Sequence, residues 1–125
     1  MESVCTCRLS PEIASAEVAR RFIEDALRSD AIDEETLFRA QLLATELVTN
    51  AVQHAQSAVE LKLARRDGRI RIEARDDCPE RPVPSSLDSP TRHRGLMLVE
   101  DLSEEWGCDL DDGHGKVVWF EVPAT

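Results

Sequence analysis

No apolar run in this chain is long enough to cross a bilayer, and Met1 to Pro11 lacks the apolar segment of a secretion signal, so a soluble, cytoplasmic chain is expected. Positive charge is also scarce. Fifteen Lys and Arg stand against 25 Asp and Glu, and the net charge of −10 repels nucleic-acid backbones and anionic membrane surfaces. A small anion remains admissible only where a divalent cation and a local basic cluster offset that field. Cysteines in metal-binding spacing are missing too. Cys5 and Cys7 are one residue apart, Cys78 and Cys108 are isolated, and a metal pair on one strand face would need two further ligands from loop-like surroundings such as those of His93 and His114. Reduced thiols acting as small apolar groups are the simpler reading. With 125 residues there is room for one hydrophobic core, so residues 1–125 are expected to form a single domain; 42% hydrophobic and 32% charged residues give a globular balance.

What is present centres on Glu46-Leu47-Val48-Thr49-Asn50-Ala51-Val52-Gln53-His54. At about 100° per residue, Glu46, Asn50 and His54 form one polar stripe along a helix. Leu43, Leu47, Ala51 and the series Ala44, Val48, Val52, Ala55 fill the neighbouring face, so the stripe borders apolar ground. A carboxylate, an amide and an imidazole thus line up over roughly 12 Å. On spacing alone, an ordinary solvated helix face is the first reading of them.

The rest of the chain reads as alternating elements. Val4 to Leu9 suits a strand with Val4, Thr6 and Arg8 on one side and Cys5, Cys7 and Leu9 on the other. Helix-start signals at Ser10-Pro11 and Ser15 precede a packing helix with Val18, Ala19, Phe22, Ile23, Ala26 and Leu27 inward. Asp33 or Glu34 leads into a second helix from about Glu35 to Ala55. Val59, Leu61 and Leu63, then Ile70, Ile72 and Ala74, alternate with polar residues across an Asp67-Gly68 hairpin turn. From Cys78 to Thr91, four prolines mark a loop too long for a plain connector. Arg92, His93 and Arg94 then stand before a short third helix expected from Gly95 to about Glu104, where free N–H groups and basic side chains make an anion site; a flank that merely offsets nearby acids is the plainer alternative. A closing hairpin joins Trp106–Leu110 to Lys116–Val122.

In this order the pieces resemble the Bergerat-fold ATPases, the superfamily of histidine-kinase catalytic domains, gyrase-type topoisomerases and bacterial anti-sigma-factor serine kinases. Thr45 to Ala55 is similar to the N box, Arg75-Asp76-Asp77-Cys78-Pro79-Glu80-Arg81-Pro82 takes the place of the first glycine box, and His93-Arg94-Gly95-Leu96-Met97-Leu98-Val99 that of the second. Gly115 to Glu121 resembles the last strand. The short chain looks most like the stand-alone anti-sigma kinases of actinomycete type.

The resemblance implies an α+β, two-layer sandwich with a mixed, mainly antiparallel sheet on about three helices. It implies ATP and magnesium as cofactors, and a sigma factor and an anti-sigma-factor antagonist protein as partners, and it admits a homodimer. Glu46 would orient or deprotonate the attacking hydroxyl, Asn50 would hold magnesium, His54 would stand by the phosphates, and Asp76 would accept the adenine amino group's hydrogen bond. Arg94, Gly95 and Leu96 would wrap the phosphates. Cys78 and Glu80 replace both glycines of the first box, His93 stands where a glycine is common in the second, and Val117 or Val118 replaces a threonine of the last strand. Two functions are therefore expected in competition: a serine/threonine protein kinase that phosphorylates the antagonist, or a non-catalytic module that sequesters a sigma factor or antagonist.

Overall fold

A computed structural model describes residues 3–12, 14–28, 32–54, 58–66, 68–77, 103, 105–110 and 115–124. The elements run β1 (Ser3–Leu9), α1 (Ser15–Leu27), α2 (Glu34–His54), β2 (Val59–Arg66), β3 (Arg69–Asp76), β4 (Glu105–Leu110) and β5 (Lys116–Pro123). The strands form one sheet in the order β1-β2-β3-β5-β4, and all four described pairings are antiparallel. Two described helices cover one face, giving the α+β sandwich expected from the sequence.

Strand alternation decides which side chains the helices cover. Leu9 of β1, Val59, Leu61 and Leu63 of β2, Ile70, Ile72 and Ala74 of β3, and Val118, Phe120 and Val122 of β5 are buried. Their neighbours in sequence point to the other face. The pairing of Arg66 with Arg69 closes the β2–β3 hairpin across two residues, and Gly68 there adopts φ +75°, a conformation that an L side chain disfavours.

Asp33 resolves the choice of start for α2. Its Oδ1 accepts the Thr36 N–H at 2.7 Å, and its carbonyl accepts the Leu37 N–H at 3.0 Å. Glu34 and Glu35 follow in the first turn, where negative charge suits the helix dipole. Ala40, Leu43, Ala44, Leu47, Val48 and Ala51 then enter the core. In α1 the inner stripe is Ser15, Ala19, Ile23 and Leu27. Val18 departs from expectation and is 48% exposed, because it lies at the margin of that stripe. Ser15 does not cap the helix; its hydroxyl donates to the Ser10 carbonyl at 2.6 Å. The proline-rich segment and the third helix expected from Gly95 lie outside the described residues, apart from Ser103, which belongs to no helix.

Candidate functional site

Glu46 and Asn50 occupy successive turns of α2, and both are half-buried. They sit beside Leu43, Leu47 and Ala51, all buried, so the polar stripe does border the core. His54 is the last residue of the helix, and its side chain lies outside the described residues, as do Arg94, Gly95 and Leu96 entirely.

Topology brings the far end of that stripe to one end of the sheet. Residue 54 ends α2 and Val59 opens β2, and five residue steps span at most roughly 17 Å. Val59 and Glu60 lie at the end of the sheet where β3 finishes, since Glu60 pairs with Arg75. Asp76 is the next residue of β3, and α2 packs against β3, β5 and β2. The C-terminal end of α2 and the Asp76 end of the sheet therefore lie at the same end of the fold.

Asp76 follows the inward parity of Ile72 and Ala74 and is only 3% exposed. Directly opposite it in the ladder stands Lys116, the first residue of β5, which is likewise buried. The Lys116 ammonium lies 3.0 Å from Oδ2 and 3.1 Å from Oδ1 of Asp76, so it straddles the carboxylate. Gly115, with φ +139°, brings its backbone hard against the Asp76 carbonyl, leaving no space for a Cβ. Two charges withdrawn from water at one strand end are costly unless they face one another, as these do.

Local spacing in the sequence assigns Lys116 no role. The available signal was parity: a lysine in phase with Val118, Phe120 and Val122 is aimed at the helix side of the sheet. Of the two positions where a strand hydroxyl was expected, Val118 faces that side and Val117 faces away, opposite Arg75.

The opposite face of the sheet is charged. A groove of about 470 Å³ there is lined in part by Lys62, Arg66, Arg69, Arg71, Glu73 and Glu121. Arg71 donates to Glu73 at 2.8 Å and to Glu121 at 3.0 Å, and Arg69 donates to Glu121 at 3.1 Å. Burial pushes the Glu121 carboxyl up, but the hydrogen bonds from Arg71 and Arg69 outweigh it and hold the group below the ordinary glutamate value. Cys7, packed against the core on the helix side, has its thiol pushed up by burial, as suits an unreactive apolar filler. No described helix is long and apolar enough to cross a membrane.

Residues 9–122 match the histidine kinase-like ATPase domain family. Blue-light-activated histidine kinase 2 of Erythrobacter litoralis is 31% identical over 118 residues, covering 85% of this chain and 34% of that protein. The chain thus spans about a third of the length of this relative. Among solved structures, the RsbU and RsbW domains of a Mycobacterium tuberculosis protein align with TM-score 0.76 at 18% identity, over 97% of this chain and 32% of that one. The histidine kinase domain of the Erythrobacter litoralis EL346 blue-light-activated histidine kinase aligns with TM-score 0.54 at 27% identity, over 90% of this chain and 60% of that one.

Proposed function

The chain belongs to the histidine kinase-like ATPase domain family, and from that premise we propose that it binds ATP with magnesium and acts as an anti-sigma-factor serine/threonine kinase. The carrying observation is the buried Asp76 carboxylate at the end of the sheet toward which the C-terminal end of α2 runs. In this reading Asp76 accepts a hydrogen bond from the base, and the Asn50 amide oxygen would hold magnesium, which would offset the phosphate charge. By their likeness to the second glycine box and the N box, Arg94, Gly95, Leu96 and His54 are assigned to the phosphates.

The reaction breaks the bond between the β,γ-bridging oxygen and the γ-phosphorus and forms a bond from that phosphorus to a serine or threonine oxygen of an antagonist protein. The hydroxyl proton passes to Glu46, and ADP leaves. A sigma factor occupies a separate face. The boxes around Asn50, Asp76 and Gly95 support this reading through their likeness to the anti-sigma kinases, and the 31% identity to a histidine kinase supports nucleotide chemistry more generally.

A second reading, a module that binds its partner without turnover, is favoured by Cys78 and Glu80 at glycine positions and by the ammonium already seated on Asp76. Titration with a fluorescent ATP analogue and magnesium separates the two. Saturable binding that Asp76→Asn abolishes, with the variant folded by circular dichroism, is the expected result. A lack of binding at millimolar nucleotide leaves only the module.

A further inference from the structure

The two described helices turn opposite kinds of surface outward. On α1 the outer side chains are Glu17, Arg20, Arg21, Glu24, Asp25 and Arg28, tied by ion pairs such as Arg28 to Glu24 at 3.2 Å. On α2 the outermost line is Phe38, Leu42, Thr45 and Thr49, and it carries no charge. Counted at about 100° per residue, these four fall within about 60° of one another, opposite Ala40, Leu47 and Ala51 of the core. Phe38 is 65% exposed, more than any other large apolar side chain among the described residues, and the other three are half-buried. One exposed apolar residue is ordinary, but a solvated helix line is best filled by Ala, Glu, Lys or Arg, and Phe and Thr are among the poorer helix formers. The Thr45 hydroxyl donates to the Leu42 carbonyl at 2.9 Å, so that polar group is taken up by the backbone.

Glu46 indicates what covers this line. It lies one turn beyond Leu42 and about 40° round the helix, roughly 6 Å from Leu42 and roughly 12 Å from Phe38 along the axis. The nucleotide is assigned to the other direction, toward Asn50 and the Asp76 end of the sheet. A protein that lays a hydroxyl against Glu46 covers about 800 Å² of this chain, a patch about 30 Å across, so it extends over the ground N-terminal to Glu46 as well. Covering an uncharged line there desolvates no charge, and an exposed aromatic ring is the kind of side chain that anchors an interface. We propose that Phe38 and Leu42 form the docking site for the phosphoacceptor protein, which seats an apolar surface on them while its serine or threonine reaches Glu46. This rests on the reading of Glu46 as the group that takes the hydroxyl proton.

Phosphotransfer by the full chain from γ-phosphate-labelled ATP to the proteins of a soluble lysate of the source cells tests it. Phe38 is exposed, so Phe38→Ser is expected to fold. For the labelled acceptor, Phe38→Ser should raise the lysate concentration of half-maximal labelling about tenfold or more, as loss of an aromatic anchor does, while the rate at saturation and the affinity for the fluorescent ATP analogue stay unchanged. Val18→Ser, which removes another exposed apolar residue, from α1, should label as wild type does. In Phe38→p-benzoylphenylalanine, irradiation should cross-link the chain to the same labelled protein. Unchanged half-saturation in Phe38→Ser overturns the proposal, and so does a cross-link that misses the labelled protein or joins only a second copy of this chain. Either result leaves the kinase reading standing, whereas a wild type that binds ATP and labels no protein sinks the kinase reading and this inference with it.

Discussion

Gly107 on β4 lies directly opposite Trp119 on β5, and the indole fills the space that a side chain at 107 would need. A Cβ there would stand 2.7 Å from Cζ2 and 2.8 Å from Cε2 of the ring, which is rigid. The Arg71 guanidinium sits over the same ring, 4.1 Å from its centroid. Gly107→Ala is therefore expected to lose about 1–3 kcal/mol through overpacking, read as a lower urea midpoint with altered tryptophan fluorescence. An unchanged midpoint and spectrum would mean that the indole moves aside at no cost.

The buried pair at the start of β5 makes a coupled prediction. Asp76→Leu takes the buried carboxylate from the Lys116 ammonium, and Lys116→Met takes the ammonium from the carboxylate, so each single change should cost about 3–5 kcal/mol. The double variant, apolar at both positions, should lose far less than the sum of the two. Chemical denaturation of all four proteins completes the cycle. Additive losses would show that the two charges do not depend on each other.

Glu121 gives the acid limb of stability a definite sign. Its folded value lies below the ordinary 4.5, so the stabilisation from Arg69 and Arg71 is fully present above about that pH and is lost as pH falls through the folded value. Asp33 is shifted in the same direction, chiefly by the Thr36 N–H, and adds to the effect. Glu121→Gln should be less stable than wild type by about 1 kcal/mol at neutral pH, and the two thermal midpoints should converge in strong acid. A gap that widens on acidification would contradict the assignment.

The roles proposed along α2 separate cleanly. Glu46→Ala should keep nucleotide affinity and lack phosphotransfer, with a rate lower by at least about a hundredfold, because the carboxylate acts on the attacking hydroxyl. Asn50→Ala should remove the magnesium dependence of binding. Isothermal titration with and without magnesium, beside a phosphotransfer assay, measures both. Parallel loss of affinity and rate in Glu46→Ala would move that residue to another role.

Much of this architecture was legible because strand parity and helical period are one-dimensional signals. Val59 to Ala74 announced a hairpin through simple alternation around Asp67-Gly68, and the register of Arg66 with Arg69 agrees. Asn50 and Glu46 could be placed on one helix face by counting in fours. Lys116 is not legible in the same way: its partner Asp76 is forty positions away, and ion pairing between strands depends on register, which local spacing does not encode. Val18 is exposed although it falls in the apolar period, because periodicity names a stripe but not its width.

The two ends of β2 have very different histories. Its hairpin with β3 closes across two residues, whereas Leu9 meets Val59 only after both helices have intervened, fifty residues later. Loop closure grows costlier with length, so the β1–β2 ladder starts from a larger closure cost than the β2–β3 hairpin. While β1 is undocked, the face that carries Cys5, Cys7 and Leu9 has no cover, and a second partly folded chain could pair with the open edge of β2 in its place.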